Sequence, residues 1–325
     1  MKVLIVNQSQ IPVYAYGGTE RVIWDLARIL VELGHEVVFL VPQGSSCDFA
    51  EVLFINPALS WDQQIPSDID IVHFQFQPPK MKLETPYVVT EHGNAKLNSL
   101  LDSNTIFVSK DHAQRHGSNH FVYNGLDWRN YGEVDWGIKR DYYHFLGKAE
   151  WRLKNVKGAI HVAKKANVPL HVLGGQRFNF KRGLRLTFSS KIKFHGMVGG
   201  QEKLALLQKS KGLIFPVKWH EPFGLAIIES MYFGCPIFAT PYGAIPELVP
   251  VQCGKLSHKA EVLKTAIIEN NYDPLICHQH VKQHFNAIKM ANHYLEYYQL
   301  AISGTKINLE APSLKETAEN QPWFQ

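Results

Sequence analysis

The stretch Leu213–Ser230, L-I-F-P-V-K-W-H-E-P-F-G-L-A-I-I-E-S, decides how this chain is read. An apolar run ends at Pro216, a polar loop follows, and a second apolar segment begins at Leu225. The residue before a proline is pushed out of the α region, so Glu221 belongs to the loop and the helix starts behind it. Glu229 then falls about a turn and a half inside that helix. Even if all eight intervening residues were helical, 1.5 Å per residue would separate the glutamates by about 12 Å. Paired carboxylates of glycoside hydrolases stand roughly 5 to 9.5 Å apart, which disfavours double-carboxylate hydrolysis. Two readings stay open: an N-cap glutamate with an unrelated surface glutamate, or a grip on two ends of one elongated ligand. In the second, the N–H groups of Phe223, Gly224 and Leu225 lie at a helix amino terminus, an arrangement suited to a diphosphate flanked by hydroxyl-rich sugars.

Outward from this segment, short β-branched or aromatic runs alternate with helical periodicity, which predicts α/β layers with parallel sheets. One series comprises strands at Lys2–Val6, Glu36–Val41, Ile71–Phe74, Tyr87–Thr90, Thr105–Ser109 and His120–Tyr123. Apolar residues at 22, 23, 26, 29, 30 and 33 share one helix face, with Gly34 as the stop. A second series comprises Tyr143–Leu146, Leu170–Leu173, Ile192–Phe194, Leu213–Pro216 and Pro236–Ala239, with helices near 156–166, 201–210 and 225–233. Trp128–Asp141 reads as a linker, Phe285–Tyr298 as a long amphipathic helix, and the final twenty or so residues as a loosely held tail. Each series is a Rossmann-like unit, yet neither carries G-x-G-x-x-G, so a dinucleotide oxidoreductase lacks its fingerprint.

At 325 residues and 45% hydrophobic, the chain is long enough for two cores. No apolar run approaches the roughly 20 residues of a membrane span, and the amino end is too short in apolar residues for a secretory signal; the expected location is the cytoplasm. Four cysteines without a C-x-x-C pair are expected as reduced, mostly buried thiols. The net charge of +5 conceals an asymmetry: residues 1–137 carry 9 Lys/Arg against 16 Asp/Glu, whereas residues 138–303 carry 23 against 10. Such a basic field attracts anions, against the plainer alternative of a solvated lysine surface. The basic stretch Arg177, Lys181, Arg182 and Arg185 suits membrane, acceptor phosphate or a solvated loop. Asp68-Ile69-Asp70 precedes a strand and reads as a strand-entry loop rather than a metal-binding D-x-D.

Leu213–Val249 resembles the donor-binding segment of family-4 retaining glycosyltransferases of the GT-B fold. Further pieces match in order: Y-G-G-T-E-R (Tyr16–Arg21), T-E-H-G (Thr90–Gly93), V-S-K (Val108–Lys110), Y-N-G-L-D (Tyr123–Asp127), F-L-G-K (Phe145–Lys148), K-N-V-K-G and L-G-G. The resemblance implies two Rossmann-like domains with parallel sheets facing a central cleft. Residues 1–137, with a crossing helix at about 286–303, would form the acceptor side, residues 138–285 the donor side, and 304–325 the tail. It implies retaining, metal-independent transfer of a hexosyl group from a nucleotide sugar to a saccharide or lipid-linked acceptor, commonly in surface polysaccharide or lipopolysaccharide assembly. No cofactor and no nucleic acid are implied, and a peripheral contact with the inner membrane face is compatible with the basic surface.

Carried over residue by residue, Glu221 would bind donor-sugar hydroxyls and Glu229 the ribose. Lys148 and Lys154 would neutralise the diphosphate, with Arg152 and Lys157 as nearby competitors. The first of the two basic positions is more often arginine, and a lysine there gives a point charge rather than a fork. Gly17 and Gly18, followed by Thr19 and Glu20, would form the acceptor-side loop, and Gly18 would also approach the donor. His92 would reach the donor sugar, and the backbone of Met197 and Val198 the nucleobase. Rival readings are a sugar-nucleotide epimerase or phosphorylase of the same fold, and a non-catalytic nucleotide-sugar binding subunit.

Overall fold

A computed structural model describes residues 1–12, 17–81, 83–179 and 185–324. The described residues form two units, one of residues 1–12, 17–127 and 285–317, the other of residues 128–284 and 318–324. In the first, β1 (Lys2–Val6), α1 (Gly18–Glu32), β2 (Glu36–Val41), β3 (Glu51–Phe54), β4 (Ile71–Phe74), β5 (Tyr87–Glu91), β6 (Thr105–Phe107) and α2 (Lys110–Arg115) follow in order. The second contains β7 (Tyr142–Leu146), α3 (Val156–Lys165), β8 (Leu170–Leu173), β9 (Phe178–Asn179), β10 (Arg185–Leu186), β11 (Ile192–Phe194), α4 (Gly200–Gln208), β12 (Ser210–Phe215), α5 (Leu225–Tyr232), β13 (Ile237–Ala239), α6 (Ile245–Leu248), β14 (Gly254–Leu256), α7 (Ala260–Glu269) and α8 (Pro274–His284). Helix α9 (Ala287–Ile302) belongs to the first unit.

Each unit is built on a six-stranded parallel sheet, ordered β3-β2-β1-β4-β5-β6 in the first and β11-β8-β7-β12-β13-β14 in the second. Counted within its own unit, each sheet has the order 3-2-1-4-5-6, the doubly wound arrangement that places ligands beyond the strand carboxyl ends where the order reverses. Central strands buried on both faces read as unbroken apolar runs, which is why Val3–Val6 and Leu213–Phe215 are so uniform. In α1, Val22, Ile23, Leu26, Ile29 and Leu30 are buried as their spacing predicts, whereas Leu33 caps the helix and stays exposed.

Several sequence expectations need correction. The strand expected at His120–Tyr123 is reduced to a single bridge from Phe121 to Phe107, and the sixth strand of that sheet is β3 instead. The linker expected from Trp128 is packed protein: the Trp128 ring stacks on Tyr232 at 4.6 Å, and the Tyr232 hydroxyl donates to the Gly132 carbonyl. The boundary therefore falls after Asp127 rather than Gly137. The tail is not loose either, because Ile307, Leu314 and Ala318 are buried and its residues are shared between the units. All four cysteines are free thiols, three of them buried.

Two histidines tie the interiors together. His73 on β4 bonds Tyr298 through Nδ1 (2.8 Å) and Thr90 through Nε2 (2.7 Å), and Thr90 in turn bonds Tyr294 (3.0 Å), so α9 docks on its sheet through a buried polar chain. In the other unit His144 on β7 bonds Ser210 and Ser230 at 2.7 and 2.8 Å. Burial pushes the pKa of both imidazoles down to about 3. Their folded values lie below the unfolded value near 6.5, so their stabilising contribution is complete above that value and falls as pH drops. Going from pH 7 to pH 5 should cost about 2 kcal/mol per histidine, read as a fall in the urea midpoint. A midpoint unchanged over that range would contradict the assignment.

Candidate active site

The residues singled out by sequence gather at strand carboxyl ends, in each unit separately. In the second unit, Lys148 lies just beyond β7, exposed, and Lys154 closes the 3-10 turn Arg152–Lys154. Glu221 follows β12, and its carboxylate is almost wholly buried. Lys154 Nζ donates to Oε1 at 2.9 Å and to Oε2 at 2.7 Å, and the Trp219 indole N–H donates to Oε2 at 2.8 Å. The ammonium also lies 4.8 Å from the Trp219 ring centre, 5.2 Å from Phe215 and 5.6 Å from Trp151. Three aromatic faces and a carboxylate make a box in which a buried cation is stabilised.

The main chain around Glu221 is fixed as tightly. Ala244 N–H donates to the Glu221 carbonyl at 2.9 Å, and Gly243 N–H donates to His220 Nδ1 at 3.1 Å. A Cβ on Gly243 would lie 2.2 Å from the Glu221 carbonyl oxygen and 2.4 Å from its nitrogen, and φ there is +66°. Only glycine allows this approach. From the other side, Lys218 N–H donates to the Leu153 carbonyl at 2.7 Å, and the Asn155 side chain spans from Gly158 N–H to the Pro216 carbonyl. Helix α5 then starts behind Gly224, whose φ of +111° suits glycine, and no side chain caps it. Phe223 and Gly224 are buried there and Leu225 is half-buried.

Glu229 sits one turn into α5, buried, where it accepts from the Tyr131 hydroxyl at 2.6 Å and from Lys203 of α4. The two glutamates thus have separate cationic partners, which sets them apart from a pair sharing one proton. Met197 is exposed and Val198 buried, and a cavity of about 380 Å³ is lined by Gly175, Gln176, Arg177 and Lys193–Gly196, immediately before them. Arg177 donates to the carbonyls of Thr187, Ser189 and Ile192 and so knits its own loop. Lys181 and Arg182 lie outside the described residues, as do Tyr14 and Tyr16.

In the first unit, Gly17 is the N-cap of α1 and makes no side-chain cap, with Gly18, Thr19 and Glu20 in the first turn. The φ of −177° at Gly17 is ordinary extended backbone. His92, half-buried behind β5, donates from Nε2 to the Gln75 side-chain oxygen at 2.9 Å, which leaves Nδ1 as the acceptor nitrogen. Desolvation lowers its pKa to about 4. The His92 loop is pinned by α2: His112 Nε2 donates to the Gly93 carbonyl at 2.7 Å and Arg115 donates to Asn94 at 2.6 Å. Sequence reading missed Gln75, His112, Arg115, Trp219, Tyr131 and Lys203. Each lies far from its partner along the chain or, like Trp219, has no periodic signal.

No group of three or more His, Cys, Asp or Glu among the described residues is arranged to hold a metal ion, and no helix among them is long and apolar enough to cross a membrane. Residues 134–252 match the model of the family described as glycosyl transferases group 1. The chain is 21% identical to the O-antigen chain mannosyltransferase C of Escherichia coli, over 75% of this chain and 80% of that one. Among solved structures it is similar to AviGT4, a glycosyltransferase involved in avilamycin A biosynthesis. The TM-score is 0.75 at 20% identity, covering 94% of this chain and 98% of that one. It is also similar to Anabaena Alr3699/HepE in complex with UDP-glucose, with a TM-score of 0.64 at 17% identity over 92% and 99% of the two chains. The fold is that of the GT-B glycosyltransferases.

Gly243→Ala is expected to destabilise the second unit by more than the roughly 1–2 kcal/mol that a left-handed φ alone costs, because its Cβ must also displace the Glu221 backbone. Gly304→Ala, at φ +80° with nothing within 4 Å, should show the conformational cost only. Denaturant midpoints of the two variants make the comparison, and equal losses would contradict the close approach.

Proposed function

We propose, for a chain that has the GT-B fold and matches the group 1 glycosyltransferase model over residues 134–252, the retaining transfer of a hexosyl group from a nucleotide-diphosphate sugar to an acceptor hydroxyl. The observation that carries this is the Lys154–Glu221 pair beside the uncapped α5 amino terminus, at the carboxyl end of β12. Glu221 offers carboxylate oxygens to sugar hydroxyls. Lys148, Lys154 and the Phe223–Leu225 amides answer the negative charge of the departing phosphate, in place of a metal. Preorganised donors of this kind are each worth about 3 to 4 kcal/mol in other enzymes. Glu229 takes the ribose, the Met197–Val198 segment takes the base beside its cavity, and the Gly17–Glu20 turn faces the acceptor. His92, neutral through desolvation, accepts a hydrogen bond from a sugar hydroxyl at Nδ1 without carrying charge.

The E. coli relative's name, an O-antigen mannosyltransferase, supports a saccharide or lipid-linked acceptor in surface-glycan assembly, and the UDP-glucose complex of HepE supports a nucleotide-sugar donor. The corresponding location is the cytoplasm, with peripheral contact at the inner membrane face through the basic surface. Turnover or slow hydrolysis of UDP-glucose, ADP-glucose or GDP-mannose tests the class, and the anomeric configuration of the product, read by NMR, tests retention. An inverted product would refute the mechanism, and binding without turnover with every acceptor would leave a binding subunit.

Breaking a buried ion pair by removing one partner costs about 3–5 kcal/mol, so Glu221→Gln and Lys154→Met each lose stability as well as turnover. The double variant should recover most of the stability and none of the activity. A double variant that is stable and active would remove both residues from the mechanism. Burial holds His92 neutral at all pH values well above 4, and a reaction that needs the neutral ring loses rate only as pH falls through about 4. The His92-dependent part of kcat/KM should therefore be level from pH 7.5 to 5.5. An acid limb near 6.5 that disappears in His92→Ala would contradict this.

A further inference from the structure

The segment Ala318–Phe324 lies beyond every motif that marks the donor site, yet it runs along two of that site's loops and on to the loop after β14. Ala318 accepts from His220 N–H at 2.7 Å, Glu319 bridges Trp219 in antiparallel fashion, and Gln321 N–H donates to the Lys218 carbonyl at 2.8 Å. Next, the Tyr242 hydroxyl donates to the Pro322 carbonyl at 2.6 Å. Finally Phe324 N–H donates to the His258 carbonyl and Ala260 N–H donates back to Phe324. These contacts fall on the loops after β12, β13 and β14 in turn. Seven residues therefore stitch together three consecutive carboxyl-end loops of one sheet.

Trp219 is where this stitching meets the chemistry. Its backbone is held by Glu319, its ring packs edge-on against Trp151 at 4.5 Å, and its indole N–H rests on Glu221 Oε2. Lys154 alone, a rotatable ammonium, fixes the charge of the Glu221 carboxylate but not its plane. The indole N–H, a single donor on a rigid ring, supplies the missing direction. We propose that Ala318–Phe324 is a positioning element of the donor site, holding Trp219 so that its indole N–H orients Glu221 toward the donor sugar. The role of the segment rests on the reading of Glu221 as the sugar-binding carboxylate; the linkage from segment to carboxylate does not.

The test uses the full chain, Trp219→Phe, Gln321→Pro and the chain lacking residues 318–325. With 15N-tryptophan labelling, the Trp219 indole resonance is identified by its loss in Trp219→Phe. It should move upfield in Glu221→Ala, where its acceptor is gone, and in both segment variants. An indole resonance that ignores Glu221→Ala or the deletion overturns the proposal. In turnover, using whichever of UDP-glucose, ADP-glucose and GDP-mannose reacts, Trp219→Phe and the deletion should lower kcat at least about tenfold, as a misplaced contact does. Affinity for the matching nucleoside diphosphate, which lacks the sugar, should stay within about twofold by calorimetry. Loss of nucleoside diphosphate binding in step with kcat in both Gln321→Pro and Trp219→Phe would mean general collapse of the unit and overturn the positioning role. If no nucleotide sugar reacts while the indole resonance responds as stated, the linkage stands and the transferase reading falls.

Discussion

A carboxylate closed off from water must be answered by donors, and the second unit is organised around answering Glu221. Its oxygens are taken by Lys154 and Trp219. Its carbonyl is taken by Ala244, and its backbone leaves no room for a side chain at Gly243. None of these partners is adjacent in sequence except Trp219; they arrive from the turns that follow β7 and β13, the strands on either side of β12. That is a property of the parallel sheet, which brings the carboxyl ends of distant segments into one row. The charge could not be tolerated there without the row, and the row would have no reason for its glycine and its aromatic box without the charge.

A second constraint is repeated in both units. Sheets buried on both faces have no place for polar groups except where these satisfy one another, and here a histidine beside the switch point of each sheet does so. His73 and His144 stand on strands that flank the point where the order reverses, β4 in one sheet and β7 in the other. Both ring nitrogens are occupied by hydroxyls in each case. Apolar side chains of the same size would pack there, but they would not fix which hydroxyl faces which strand. The histidines thereby set the depth of α9 against one sheet and of α5, through Ser230, against the other.

What sequence could reveal follows from range. Strand runs such as Val3–Val6, the α1 stripe and the strand-loop-helix at Leu213–Ser230 are local patterns, and they emerged in place, β1 and the start of α5 to the residue, although α1 begins at Gly18, ahead of its stripe, and β12 at Ser210, ahead of Leu213. The fold class followed from their alternation, and the positions of Glu221, His92 and Lys154 at strand carboxyl ends followed from the motifs. What stayed hidden was pairing. Nothing in K-A-E-W-R-L-K-N states that Lys154 will meet Glu221, and Gln75 carries no mark of its bond to His92. Short elements were lost for the same reason: β3 and β14 are held by neighbours rather than by propensity, and Trp128 and Tyr131 looked like linker residues because their partner, Tyr232, lies about a hundred positions away.

The pairing also changes how the two ends of the proposed clamp relate. An ammonium has three N–H donors, and Glu221 engages Lys154 through both carboxylate oxygens while three rings close in around it. A phosphate arriving at Lys154 must share the ammonium with Glu221, and any share it takes leaves the carboxylate with unmet charge in a desolvated place. Sugar hydroxyls are donors that can meet it. On the proposed reading, phosphate and sugar would thus be bound by one rearrangement rather than two: a nucleotide without its donor sugar would strain the pair, and a sugar without its phosphate would have nothing to release the carboxylate. Coupling of that kind favours the intact donor over either fragment, which is the discrimination a transferase needs if it is not to sit idle on its own product.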